Sequence, residues 1–577
     1  MGKFNIADVF QPKFFQLIKN RAYSKELFIQ DFIAGVIVGI VAIPLAIAFG
    51  IASGVSPEQG LITAIIGGFI VSFLGGSHIQ IGGPTGAFIV IIAGIIAEFG
   101  FTGLIIATVL AGIMLIAMGL FKLGDVIKFM PFPIIVGFTS GIAVVIFSTQ
   151  IKDFFGLTSV AGGELVLPSE FLSKWAVYFK NFSTINPWAT ALAVITVAIS
   201  FLWQKVTKKI PGSIIAIIIC TIIAIILKNQ FGIEVTTIGS KYPELSGGSP
   251  LPKPIAPQID MHAVRMLISP AFTIAMLCAI ESLLSAMVAD GATGKKHHSN
   301  TELIGQGVAN LVVPLFGGIP VTGAIARTMT NINNGGRTPI AGIVHAIFLF
   351  LIFLFLMPLA AYIPFASLAG ILVVVAYNMS EWRSFKGLLK NPISDVIVLL
   401  VTFFLTVIFD LTIAIEIGLL IAAITFIKRV METSSIKVIE NEIQRTENQE
   451  DLDLEYEKLS KKLEVYEIDG PFFFGVANKF DEINYEIKNK PKVRIIRMRK
   501  VPFIDSTGIK NLSNLCNKSK REKIQIILSG VNSDVYNTLE KSGFIDKLGR
   551  EFVFDHISKA MDKANQIINQ QNQEIKN

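Results

Sequence analysis

Two short runs of the same residue types stand far apart in the chain. Phe73-Leu74-Gly75-Gly76 leads through a polar stretch to Thr85-Gly86-Ala87, and Leu315-Phe316-Gly317-Gly318 leads through Ile319-Pro320-Val321 to Thr322-Gly323-Ala324. Each run interrupts an apolar segment with Gly and Pro. A helix that begins at such a break presents free backbone N–H groups and the positive end of its dipole. Two such starts facing each other would cradle an anion without a full charge. Thr85 and Thr322 are each placed to cap a helix start or to give a hydroxyl to the ligand. Gly86 and Gly323 let an ion approach the backbone. Arg327, about one turn into the second segment, adds a positive field or snorkels toward the cytoplasmic end. One break alone fits close helix packing as well as binding; two matched breaks favour binding.

A carboxylate forms the second candidate. Glu281 lies in a long apolar run, with Ser285 one turn further on the same face. An intramembrane carboxylate is expensive to keep and is usually functional. An apolar setting favours its neutral acid, which suits proton coupling. A structural hydrogen bond between helices is the alternative. Asp290, Asp410 and Glu416 lie nearer the ends of apolar runs and read as interfacial or structural.

The elements that must position these groups are membrane helices. Of 577 residues, 52% are hydrophobic and 16% charged, against roughly 25% charged in soluble proteins. A spanning helix needs roughly 20 apolar residues. Clear candidates are 32–52, 103–121, 133–151, 188–204, 211–228, 268–290, 339–357, 392–409 and 412–427; broken or shorter ones are 60–74, 84–98, 302–316, 322–334 and 365–378. The expected total is fourteen. The net charge of +7 is read as membrane-face lysine and arginine, not as a nucleic-acid surface. With the N-terminus inside, the cytoplasmic connections carry Lys122, Lys128, Lys205, Lys208, Lys209, Lys295, Lys296, Arg337, Arg383, Lys386, Lys390, Lys428 and Arg429. An even span count then leaves both termini in the cytoplasm.

The two breaks occupy the third and tenth of these spans, each the third of a set of seven. Seven is odd, so the two sets run in opposite directions, the pattern of an inverted-repeat transporter with broken helices. No signal peptide is evident before the first apolar run. Cys220, Cys278 and Cys516 form no CxxC or Cys/His cluster, and His297-His298 follows Lys295-Lys296 in what reads as a solvated basic loop rather than a metal site.

Composition changes near Glu432. The division expected is a cytoplasmic N-terminal segment at 1–31, a transport domain at 32–430, a charged linker at 431–460 and a soluble α/β domain at 461–577. Expected strands in the tail are Leu463–Ile468, Val493–Met498 and Ile524–Leu528; expected helices are Ala477–Ile487, Thr507–Lys518, Ser533–Lys541 and Ile557–Asn569. No P-loop or dinucleotide fingerprint is present, so no cofactor is inferred and no enzymatic activity is assigned.

These motifs closely resemble the SulP family of anion transporters, whose animal members form solute carrier family 26. The carriers of the likeness are Pro44-Leu45-Ala46-Ile47-Ala48-Phe49, His78-Ile79-Gln80-Ile81-Gly82-Gly83-Pro84-Thr85-Gly86, Ala279-Ile280-Glu281-Ser282-Leu283-Leu284-Ser285 and Thr322-Gly323-Ala324-Ile325-Ala326-Arg327-Thr328. The resemblance implies a polytopic α-helical membrane protein of fourteen spans in a seven-plus-seven inverted repeat, divided into core and gate domains. It implies that the third and tenth spans hold the anion, near Thr85, Gly86, Ala87, Gly323, Ala324, Ile325, Ala326 and Arg327. Phe49 matches an aromatic that lines this site, and Ala326 stands where some relatives carry Ser. In sodium-coupled relatives, an acid and a hydroxyl here, with backbone near Gly323 and Ala324, resemble a Na⁺ site, which points to Glu281 and Ser285. The tail resembles the STAS domain. In that domain a hydroxyl residue just before the Gly of Asp505-Ser506-Thr507-Gly508 can be phosphorylated, which marks Thr507 and its neighbour Ser506.

The function expected is secondary transport of a small anion (sulfate, bicarbonate, chloride or a small dicarboxylate) coupled to H⁺ or Na⁺ or run as exchange. The expected setting is a bacterial cytoplasmic membrane, in a homodimer, with no nucleic-acid partner. The alternative is a membrane-tethered regulator or sensor acting through its tail. A nucleobase permease shares the repeat architecture, but Arg327 and the tail speak against it.

Overall fold

The computed structural model describes residues 9–20, 23–127, 131–168, 170–206, 211–243, 254, 261–409, 411–439, 442–444, 456–458, 462–475 and 491–574. It divides into two compact units, Met1–Leu420 and Ile421–Asn577.

In the first unit, Ser24 caps helix α1 (Lys25–Ala52) by accepting from Leu27 N. Ser56 and Gln59 form a reciprocal capping box at the start of α2 (Pro57–Leu74). Each cap satisfies backbone N–H groups that the first turn leaves without acceptors. The chain then runs extended into β1 (Gly82–Gly83) and re-enters a helix, α3 (Gly86–Leu120). Gly100, at φ +67°, breaks α3 between the third and fourth expected spans; its backbone is one that side-chain-bearing residues rarely adopt. Helices α4 (Phe132–Phe155), α5 (Pro187–Val206), α6 (Gly212–Phe231), α7 (Met261–Thr293) and α8 (Ser299–Val312) follow. A second extended stretch then reaches β2 (Thr322–Gly323) and α9 (Ile325–Asn333), and α10 (Pro339–Ala360), α11 (Phe365–Met379) and α12 (Ile393–Ile408) complete the unit.

Each of the fourteen expected spans falls on a helix or a helix with an extended lead-in. By length and composition, eight described helices are able to cross a membrane, or nine if the bent pair Phe171–Thr184 and Pro187–Trp203 counts as one. The helices pack in two groups. α1, α2, α3, α7, α8, α9 and α10 contact mainly one another, while α4 packs on α11 and α12, and α5 packs on α6 and α11. Facing residues in both groups are small: an added methyl at Gly112 would meet Gly307 O at 2.7 Å, and one at Gly370 would meet Ala193 O at 2.8 Å. Such positions let helix backbones approach closely.

The second unit holds the end of α13 (Leu411–Thr433) and a five-stranded sheet ordered β3-β6-β7-β8-β9, with β3 (Ser435–Ile439) antiparallel and β6 (Leu463–Asp469), β7 (Val493–Lys500), β8 (Gln525–Ser529) and β9 (Val553–Phe554) parallel. Parallel strands are buried on both faces, and here α14 (Ser506–Arg521) and α15 (Ser533–Lys541) cover one face while α16 (Ile557–Glu574) covers the other. The stretch expected as linker supplies β3 and a separate strand pair, β4 (Glu442–Gln444) with β5 (Tyr456–Lys458). The expected helix Ala477–Ile487 lies outside the described residues.

Candidate functional site

The two breaks meet. β1 and β2 pair antiparallel, Gly82 opposite Gly323 and Gly83 opposite Thr322, and Ala324 N donates to Ile81 O at 2.9 Å. Two glycines sit there because side chains already fill the space above them. A methyl on Gly83 would lie 1.8 Å from Arg327 Nη1, and one on Gly323 would lie 1.4 Å from Gln80 Nε2.

Beyond the strand pair each chain turns into a helix. Thr85 is the extended residue before the first, and Ala324 before the second. The amides of Gly86, Ala87, Ile325 and Ala326 fall in the first turns, where no intrahelical acceptor exists. Thr85 and Thr322 do not cap these starts, contrary to one expectation. Thr85 Oγ1 donates to Glu281 Oε2 at 2.8 Å, and Thr322 Oγ1 donates to Cys278 O at 3.0 Å. Both hydroxyls point toward α7, which runs alongside the breaks, so α7 takes them and neither hydroxyl occupies the amides of the helix starts.

Arg327 does not snorkel. Its side chain is 2% exposed. Nη2 donates to Pro84 O at 2.7 Å, across the pair, and Nη1 has no hydrogen-bond partner among the described residues. No carboxylate among the described residues lies within ion-pair reach of it. Phe49 of α1 and Ile146 of α4 are buried beside Gly86, and the half-buried Met379 of α11 lies against it too. The first helix start therefore lies at the junction of the two helix groups. Ile146 and Met379 carried no sequence signal, being ordinary apolar residues of apolar helices. At the second start, Gly323 and Ala324 are buried, whereas Ile325 and Ala326 are exposed.

Glu281 and Ser285 do not pair with each other. Ser285 Oγ donates to Thr328 Oγ1 at 3.2 Å, and Thr328 Oγ1 in turn accepts from Ile81 N at 3.1 Å. Of the two, only Glu281 has a direct hydrogen bond to a predicted anion-site residue. No group of three or more His, Cys, Asp or Glu that could hold a metal ion occurs among the described residues. In the tail, Ser506 and Thr507 are exposed in the first turn of α14, where Asp505 Oδ1 caps by accepting from Gly508 N at 2.7 Å.

Sequence reasoning missed a polar network behind the breaks. Glu302 of α8 is fully buried and accepts from Gly76 N at 2.8 Å, Ser77 N at 3.0 Å and Gln306 Nε2 at 2.8 Å. Asn310 of the same helix brackets Val321, donating to its carbonyl at 2.8 Å and accepting from its N–H at 3.0 Å. A carboxylate in an apolar span was the available signal.

A broken-helix pair beside a buried guanidinium with no ion-pair partner among the described residues, inside a bundle of apolar helices, is suited to holding an anion. Residues 28–402 match the model of the sulfate permease family, and residues 458–560 match that of the STAS domain. The chain belongs to the sulfate permease (SulP/solute carrier 26) family, whose members are integral membrane anion transporters and not enzymes. It is 43% identical over 537 residues to the putative sulfate transporter YvdB of Bacillus subtilis, covering 93% of this chain and 98% of that protein. It is 31% identical over 502 residues to the bicarbonate transporter BicA of Picosynechococcus, covering 84% and 85%. The fold also matches the solved structure of the murine Solute Carrier 26 family member A9 anion transporter, with a TM-score of 0.82 at 18% identity over 98% of this chain and 96% of that one.

Proposed function

We propose that this chain is a secondary active transporter of a small anion, with sulfate and bicarbonate as first candidates and chloride or a small dicarboxylate as others. The observation that carries the reading is Arg327, a buried cation with a free Nη1 and no carboxylate partner among the described residues. A buried charge left unpaired is costly, and an anion between the helix starts would offset it. The free amides near Gly86 and Ile325 add directed donors. Phe49, Ile146 and Met379 bring both helix groups to the site, so a shift of one group against the other would open it to alternate sides. Relatives described as sulfate and bicarbonate transporters support the substrate class.

Glu281 is the proposed coupling residue, with H⁺ favoured over Na⁺. Its bond to Thr85 links its protonation to the first helix start, and a proton there would remove negative charge beside the anion. Proton and anion would then favour each other, as symport requires. The proposed arrangement is fourteen spans in a bacterial cytoplasmic membrane, both termini inside, paired as a homodimer, with Thr507 or Ser506 open to regulatory phosphorylation. The test is uptake into proteoliposomes across an anion panel, with pH and Na⁺ gradients imposed separately. Absence of flux for every anion would favour a sensor and overturn the reading.

A further inference from the structure

Four polar side chains of α8 lie on one stripe. Ser299, Glu302, Gln306 and Asn310 recur at intervals of three, four and four, the spacing of a single helix face. All are between 0 and 4% exposed. The stripe faces the extended segments that lead into the two helix starts. Glu302 takes the amides of Gly76 and Ser77, at the beginning of the first segment. Gln306 Nε2 donates to the other oxygen of Glu302, and Gln306 O accepts from Asn310 Nδ2 at 2.9 Å. Asn310 then holds both backbone groups of Val321, the residue before β2.

The backbones are also in close contact along this line. His298 N donates to Gly76 O at 2.9 Å. A methyl on Gly76 would lie 2.1 Å from His298 O, and one on Gly305 would lie 3.0 Å from Gly75 Cα. At the cytoplasmic end expected from the charge pattern, His297 Nδ1 pairs with Asp290 Oδ2 at 2.7 Å and His297 Nε2 with Ser299 Oγ at 2.9 Å, which ties the stripe to the end of α7.

We infer that α8 is an internal splint, in which Glu302 and Asn310 are positioning residues that hold the two helix starts in one fixed relation. The strand pair joins the segments at their far ends, and α8 joins them again behind it. Together they close a ring of polar contacts, so that loosening one segment loosens the other. Neither residue touches the proposed anion position; their effect on binding passes through the backbone they hold. The functional consequence rests on the anion placement proposed above, whereas the splint itself does not.

Amide hydrogen exchange on the full-length protein in nanodiscs separates these. Glu302→Ala removes the acceptor of Gly76 and Ser77, and exchange in a peptide covering 75–78 should rise about tenfold. The splint also requires faster exchange in a peptide covering 318–324, which Glu302 does not touch. Glu302→Gln keeps an acceptor oxygen and should restore both to near wild type. Asn310→Ala provides the reciprocal measurement, with faster exchange expected at 75–78, and stands in if Glu302→Ala fails to fold. Acceleration confined to the segment that each residue touches overturns the inference. Sulfate and bicarbonate affinities in the same variants report on the anion placement alone.

Discussion

Thr85 Oγ1 donates to Glu281 Oε2 at 2.8 Å, joining the first helix start to α7 across 196 residues of sequence. The hydroxyl expected to serve the anion is thus spent on the carboxylate expected to serve the cation. This bond makes the two proposed sites neighbours, and it can be cut from either side.

Glu281→Gln resembles the protonated acid in shape and charge. Anion exchange should survive, and accumulation driven by a pH gradient should vanish. Thr85→Val should weaken anion binding by about tenfold, because a half-buried carboxylate then loses a donor worth roughly 1–3 kcal/mol. Proteoliposome uptake measures both. Gradient-driven accumulation by Glu281→Gln would remove Glu281 from the coupling role.

Gly83→Ala should lower anion affinity about tenfold or more without abolishing insertion. Its methyl would lie 1.8 Å from Arg327 Nη1, so the guanidinium must leave its place or the strand pair must open. Gly94→Ala, with nothing within 4 Å of the added carbon, is the control. Equal affinities for the two variants in a binding titration would separate Arg327 from the anion.

The tail should need β3. A fragment starting at Glu432 keeps the antiparallel pairing of Ser435–Ile439 with Leu463–Asp469, whereas a fragment starting at Lys461 exposes the edge of β6. Calorimetry should show the shorter fragment melting about 4 °C lower, the shift that roughly 1 kcal/mol gives in a domain of this size. Identical melting points would show that β3 adds nothing.

Glu164 should give a small acid-dependent contribution. Hydrogen bonds from Lys241, at 3.0 Å, and Lys152, at 3.1 Å, hold its carboxyl down at about 2. The folded value lies below the ordinary one, so the contribution is full above an ordinary carboxylate value of roughly 4.3 and is lost as pH falls toward 2. The carboxylate is largely exposed, which limits the effect to about 1 kcal/mol or less. The difference in thermal midpoint between wild type and Glu164→Gln should therefore shrink between pH 6 and pH 3. A constant difference would assign the effect to packing.

Much of the site was legible because its signals are compositional. Gly and Pro inside apolar runs mark breaks, a repeated Thr-Gly-Ala marks their pairing, and Arg327 and Glu281 stand out as charges among apolar neighbours. Sequence spacing does not say which hydroxyl meets which partner. Ser285 lies one turn from Glu281, yet the helix approach gives Glu281 to Thr85 and Ser285 to Thr328. Ile146 and Met379 were invisible, since apolar side chains in apolar helices carry no mark of which face they turn. β3 was hidden for the opposite reason: the charged residues around it outweigh its two isoleucines and a valine in any reading by composition.

The contact between β1 and β2 is made by backbone alone, from Gly82, Gly83, Thr322 and Gly323. No side chain supplies a hydrogen bond of the ladder itself. The side chains around the helix starts, Phe49, Ile146, Ala326 and Met379, take no part in that pairing. The grip on the two helix starts and the lining beside them are therefore written in different parts of the chain, one in main chain and the other in side chains.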